Sequence, residues 1–281
     1  MENRLLSTEQ LEEFNEKGIL VIKSFYDFKT EVEPILYEIW KIIGLVIKKY
    51  HLNIHQTSFN PHNFDEGYQD IIATNRQYGA EIYDAIKQIP SFLRLICCKK
   101  NENVIKTIRQ TDTVGIGKGS YGIRIDNPNE EKFRAPWHQD YLAQFGSIDG
   151  VVFWSPLIKI SQELGPVQFC VSSHKDGIVP VHTKDPKNPQ KQGAYGLIID
   201  KEEEHIKKYI HISPLTEPGD LILIDFLTLH SSGYNISSSA RWSMQVRYFN
   251  FNHQSGIDLG WRAGYGSGMT LKDVLPEFIL D

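Results

Sequence analysis

The amino-acid sequence predicts an α+β protein in which a mostly helical part, residues 1–110, packs on a β-sandwich or barrel built from residues 111–281, all in one domain. Up to residue 110 apolar residues recur with the spacing of amphipathic helices; beyond it, short β-rich segments alternate with turn residues. A chain of 281 residues can bury about 75% of its unfolded surface, so one sizeable core forms without staples or metals, and any metal would be there for chemistry.

The N-terminus opens with a helix signal: Ser7 as N-cap, Gln10 as its capping-box partner, Leu11 and Phe14 as the apolar stripe and Gly18 as the stop. Residues 19–25 read as a strand. From 30 to 51, Val32, Ile35, Leu36, Ile39, Ile43, Val46 and Ile47 fall at helical spacing and predict a long amphipathic helix. Shorter helices are expected over 80–87 and 91–109, all with core-facing stripes. Strands are expected over 120–126, 135–141, 151–158, 166–172, 210–213, 220–225 and 241–251. The polar run 182–195, with its prolines and lysines, is expected as a surface loop or lid, and no internal repeat is present.

Composition excludes several function classes. Hydrophobic residues at 41% and charged residues at 23% are ordinary for a globular protein, and no stretch approaches the roughly 18 apolar residues of a membrane span. Residues 1–20 are acidic and amphipathic, without the features of a secretory signal, so a cytoplasmic location is expected. Cys97, Cys98 and Cys170 cannot form a disulfide framework and are expected as buried thiols in a reducing compartment. A net charge of −5 argues against nucleic-acid and anionic-membrane partners and leaves a small molecule as the expected partner.

Gly117 to Gly122 formally satisfies GxGxxG, but the residues after it are β-like and end at Pro128, whereas a dinucleotide fingerprint must open a helix. More informative is His-x-Asp, which in a strand places an imidazole and a carboxylate on one face. With ten histidines and sixteen aspartates, about half an occurrence is expected by chance, so context must decide between the two present. His174-Lys-Asp176 lies in a polar turn, whereas His138-Gln-Asp140 sits between Trp137 and Tyr141 in a strand-like setting and is preferred. His230, after the strand-like LILIDFL, is the best-placed third ligand. Two histidines and one carboxylate leave three positions of an octahedral iron(II) open for a bidentate 2-oxoacid and dioxygen, whereas zinc favours four tetrahedral ligands. In the last strand Arg241, Ser243, Gln245 and Arg247 share one face. Two arginines facing inward call for anions, which makes Arg241 and Arg247 candidates for carboxylate recognition; the alternative is a surface strand with solvated arginines.

The stretches LSTEQLEEFNEKGILVIKSFYD, WHQD, LGPVQFCVSSH, PGDLILIDFLTLHSS and RWSMQVRYFN, in this order, resemble the phytanoyl-CoA dioxygenase family of 2-oxoglutarate oxygenases over nearly the whole chain. The resemblance implies a double-stranded β-helix (jelly roll, cupin-like) core with N-terminal helices packed on the major sheet. It implies iron(II) on His138, Asp140 and His230, with 2-oxoglutarate and O2 as cosubstrates. The family's 2-oxoglutarate arginine falls on Arg241, its hydroxyl contact on Ser232, and its tryptophan, across a two-residue gap, on Trp154. His174 is left as a structural residue near the site mouth. Related halogenases carry Gly or Ala at the position of Asp140, so its presence favours hydroxylation, or a desaturation or ring-forming variant, over chlorination. The expected substrate is a small polar metabolite or a natural-product or sugar-type intermediate, with Arg124, Arg247 and Tyr141 as substrate contacts. The rival readings are a non-catalytic metal-binding β-helix protein and an oxygen-independent cupin-like isomerase or hydrolase.

Overall fold

A computed structural model of the chain describes residues 6–186, 196–264 and 268–280. Helix α1 (Thr8–Lys17) starts and stops where its sequence signals lie. The Ser7 hydroxyl accepts from the Gln10 amide, the Gln10 side chain accepts from the Ser7 amide, and Gly18, at φ 74°, ends the helix. Strand β1 (Ile19–Ile22) is shorter than the expected 19–25, because the chain turns at Ser24, which adopts φ 49° and donates its amide to Asp220. A π-helical turn, Phe28–Val32, leads into α2 (Glu33–Lys49). Two helices, α3 (Tyr68–Thr74) and α4 (Arg76–Ala85), come next, the first of them unanticipated. The helix expected over 91–109 is two, α5 (Pro90–Ile96) and α6 (Lys99–Arg109). The break falls at Cys98, whose extended backbone lets the buried Asn101 side chain donate to the Leu95 carbonyl.

The β part comprises β2 (Val114–Asp126), β3 (Gly150–Pro156), β4 (Val167–Cys170), β5 (Val181–His182), β6 (Ile198–Ile199), β7 (His211–Ile212), β8 (Leu221–Asp225), β9 (His230–Ser232) and β10 (Arg241–Asn250). They form an antiparallel five-stranded sheet in the order β1-β8-β3-β10-β2, a three-stranded sheet β7-β4-β9, and the pair β5-β6. The GxGxxG stretch lies inside β2, an edge strand, and opens no helix.

Alternation along the strands sorts the two faces of the large sheet. Phe153, Leu223, Trp242, Met244, Val246 and Tyr248 pack with Ile35, Ile39, Phe92 and Val104 of the helices in one apolar cluster. Val152, Trp154, Ile222 and Ile224 pack on the other side against Val167 and Phe169 of the small sheet. The layers are therefore helices, large sheet and small sheet. The indole N–H of Trp242 donates to Asp65 at 2.8 Å, which joins the β part to the chain just before α3.

One expected strand is corrected. Over 135–141 the described chain makes a single bridge, between His138 and His230, with backbone N–H···O distances of 3.0 and 3.1 Å. The Gln139 side chain then anchors the backbone by donating to the Gly177 and Leu227 carbonyls and accepting from the Val179 amide. Asp140 is already helical (φ −66°, ψ −35°) and starts the short α7 (Tyr141–Gln144). Of the expected 182–195 loop, residues 187–195 lie outside the described residues.

Candidate metal centre

The bridge between His138 and His230 brings two buried imidazoles to a ring separation of 4.2 Å. In each ring Nδ1 lies 2.8 Å from the carbonyl two residues earlier, Pro136 and Thr228 respectively. A carbonyl only accepts, so Nδ1 carries a proton and Nε2 is the nitrogen each ring has left for a further partner. Asp140 completes the set, with one ligand atom of each residue within 4.8 Å of the others. Its Oδ2 lies 3.2 Å from His230 Nε2, yet has no hydrogen-bond partner among the described residues. A buried carboxylate oxygen and an imidazole nitrogen that face each other without a hydrogen bond are an arrangement that a cation satisfies.

The ionisation states suit this. Burial works against charge on Asp140, but Arg247, and then His230 and His138, outweigh it and hold the carboxyl far below the usual carboxylate range. Arg247 Nε donates to Oδ1 at 2.8 Å, so Oδ2 is the oxygen left for a metal. Burial and the neighbouring His230 push His138 down to about 3, which keeps it neutral at physiological pH.

A cavity of about 350 Å³ opens beside these residues. Arg241, only 1% exposed, stands in its wall and donates Nη2 to the Ser232 hydroxyl at 3.0 Å. The same nitrogen lies 2.8 Å from Asp126 Oδ2, while Arg241 Nε is buried without a partner. The β10–β2 register sets Arg241 opposite Asp126 and Ser243 opposite Arg124. Arg124 Nε reaches both Asp126 oxygens, at 2.8 and 3.0 Å, and its Nη2 donates to the Phe133 carbonyl. Burial opposes the charge of Asp126, but the two guanidinium groups prevail and lower its carboxyl to about 2. Two cations sharing one buried anion leave a positive charge in the wall, suited to an incoming carboxylate.

The structure thus brings His138, Asp140 and His230 together, with Arg241, Ser232 and Trp154 lining the same cavity. Arg124 and Arg247 also line it, but each is already engaged, with Asp126 and Asp140 respectively. Tyr141 is corrected: because Asp140 turns the chain into a helix, its ring packs in the apolar cluster with Val152 and Trp154 and does not line the cavity. His174 is not at the cavity mouth either; its Nε2 meets the Asn15 carbonyl near the end of α1. Sequence reasoning missed Asp126, Tyr83, Lys87 and Gln245 as cavity or wall residues. Strand alternation from Arg124 could have found Asp126, whereas Tyr83 and Lys87 arrive from the helical part through tertiary packing alone.

The phytanoyl-CoA dioxygenase family profile matches residues 14–243. The chain belongs to that family. Peroxisomal phytanoyl-CoA dioxygenase of Bos taurus is 24% identical over 264 residues, covering 89% of this chain and 71% of that protein. The Homo sapiens enzyme is 21% identical over 261 residues, covering 88% and 70%. Among solved structures, EctD from S. alaskensis with 2-oxoglutarate and 5-hydroxyectoine superposes with a TM-score of 0.58 at 16% identity, covering 90% of this chain and 79% of that one. The epimerase SnoN in complex with Fe3+, alpha ketoglutarate and nogalamycin RO gives 0.56 at 14% identity, covering 89% and 87%. At such identities these two likenesses establish the fold of this phytanoyl-CoA dioxygenase family member, not its substrate.

Proposed function

We propose that this family member is an iron(II)- and 2-oxoglutarate-dependent oxygenase that hydroxylates a small polar metabolite or a natural-product or sugar-type intermediate, releasing succinate. The observation that carries the reading is Asp140 Oδ2, buried and without a hydrogen-bond partner 3.2 Å from His230 Nε2, with both histidine Nδ1 atoms turned away onto carbonyls. Three ligands on an octahedral iron leave three positions open. Iron, 2-oxoglutarate and dioxygen together supply oxidative decarboxylation coupled to oxidation of a substrate C–H bond.

The chain's own residues bind and orient. His138, Asp140 and His230 hold the metal, and Arg247 fixes Asp140 so that one oxygen faces it. Arg241 and Ser232 receive the distal carboxylate of 2-oxoglutarate, with Trp154 walling the same cavity. The facing sheets that carry these residues are read as a double-stranded β-helix, and the cluster shared by helices and sheet supports one domain over 1–281.

The test is anaerobic titration of metal-free protein with iron(II) and then 2-oxoglutarate, followed in the visible charge-transfer region, and then succinate release on admitting dioxygen. A band and oxygen-dependent succinate are expected. No band and no succinate would overturn the proposal, and turnover with zinc or manganese in the absence of oxygen would point to an isomerase or hydrolase.

A further inference from the structure

Four cationic side chains among the described residues line the cavity, and three of them are committed within the wall. Arg241 and Arg124 share Asp126, and Arg247 holds Asp140. The fourth, Lys87, comes from the turn after α4 and has no such partner. Its ammonium lies 3.5 Å above the centre of the Tyr83 ring, and its nearest carboxylate, Asp84, is 3.4 Å away and 77% exposed, where solvent screens it. The lysine stem runs along β2 at Gly122, where even a Cβ would stand in ordinary contact, 3.7 to 3.9 Å from its carbons. Tyr83 is also within electrostatic range of Arg124, which makes the Lys87 edge continuous with the arginine-bearing wall.

Charge balance extends the point. Apart from the exposed Asp84 beside Lys87, four cations of the described residues face two buried carboxylates, Asp126 and Asp140, and a divalent metal arriving with a dianionic 2-oxoacid leaves that buried excess unchanged. We infer that the substrate carries an oxyanion, a carboxylate or a phosphate, which docks on Lys87 between Tyr83 and the glycine-bearing stretch of β2, with the reacting carbon directed inward to the metal centre. The inference rests on the oxygenase reading above and supplies its substrate class. The docking cation comes from the helical part, since Arg247 is spent on Asp140 and the charge that Arg124 and Arg241 carry beyond Asp126 serves the cosubstrate carboxylate.

The experiment uses the anaerobic complex of the full chain with iron(II) and 2-oxoglutarate, and three matched probes: cyclohexyl phosphate, cyclohexanecarboxylate and cyclohexanol. Binding is read as a change in the charge-transfer band. At least one anion should bind about two- to fivefold tighter than the alcohol, the size expected of one partly exposed charge pair. The advantage should be lost in Lys87→Met and kept in Lys87→Arg, and whichever anion binds better identifies the headgroup. Equal binding of all three probes, or an anion advantage that survives Lys87→Met, overturns the inference. If no band forms before any probe is added, it is the oxygenase reading that has failed. The three probes are then compared by calorimetry on the metal-free protein, where the same preference and the same loss in Lys87→Met still decide the anion site.

Discussion

Arg247 decides which oxygen of Asp140 is left for a metal, since its Nε occupies Oδ1. Arg247→Met should therefore weaken iron(II) binding by about 10- to 100-fold, as loss of a partner behind a ligand typically does, while Asp140→Ala and His230→Ala should abolish it. His174→Ala should leave it unchanged; a collapse of affinity there in anaerobic titration would reassign the motif. Truncating a buried partner of a carboxylate costs about 2 to 5 kcal/mol, so Arg241→Leu should weaken 2-oxoglutarate binding roughly 30-fold to a few thousand-fold, with Arg241→Lys in between. An Arg241→Leu variant that binds 2-oxoglutarate like the parent would remove Arg241 from that role. At this scale the sequence was most readable where a residue's chemistry is carried by its own type, as for His138, Asp140, His230 and Arg241. It was least readable for Arg124 and Arg247. Both arginines and Asp140 were visible, but the pairing of Arg247 with Asp140 spans the fold, and Asp126 follows only once the alternation of β2 sets it beside Arg124.

The Gly18 terminus of α1 abuts the turn that carries His230. Thr228 donates its hydroxyl to the Gly18 carbonyl at 2.9 Å and accepts from His230 Nδ1 through its own carbonyl. A Cβ at Gly18 would collide with the His174 ring and the Thr228 hydroxyl, at a backbone φ of 74° that disfavours any other residue. Gly18→Ala should cost about 2 to 4 kcal/mol from backbone strain and overpacking combined. That corresponds to a fall in melting temperature of roughly 2 to 4 °C per kcal/mol. An unchanged melting temperature would show that the turn relaxes freely. The helix itself was readable because its cap, stripe and stop are local, and β10 because its alternation puts Trp242, Met244 and Val246 opposite Arg241 and Arg247. The stretch 135–141 misled for the opposite reason: Gln139 fixes its backbone through partners at Gly177, Val179 and Leu227, which no local pattern announces. The break between α5 and α6 likewise depends on the distant packing of Asn101, whose side-chain carbonyl accepts from the Tyr26 hydroxyl.

Across the molecule, the buried group formed by Arg124, Asp126 and Arg241 links acid stability to the site. The two guanidinium groups lower the Asp126 carboxyl to about 2 in the fold, against about 3.9 in an unfolded chain. Its contribution of about 2 to 3 kcal/mol is thus fully present above the unfolded value and is lost as the pH falls from near 4 through 2. Asp126→Asn would leave two buried guanidinium groups facing each other and should destabilise the protein by about 3 to 5 kcal/mol at pH 7. The gap to the parent should narrow at pH 3. Denaturant unfolding at both values checks this, and a gap independent of pH would show that the fold does not lower the Asp126 carboxyl. Because one apolar cluster includes residues of both the helices and the large sheet, the two parts should melt in one transition by circular dichroism and tryptophan fluorescence. Two separated transitions would divide the chain.

The bridge between His138 and His230 has an evolutionary consequence. Strand register takes whole-number values: a slip of one residue would send an imidazole to the opposite face, with no gradual series of slightly distorted centres in between. Changes in chain length between the two histidines therefore either leave the metal geometry as it is or abolish it. The loops and short strands strung between them can be lengthened, shortened or exchanged in descent as long as that single pairing re-forms. A lineage built this way can change the walls that choose a substrate while the reactive centre stays as it was.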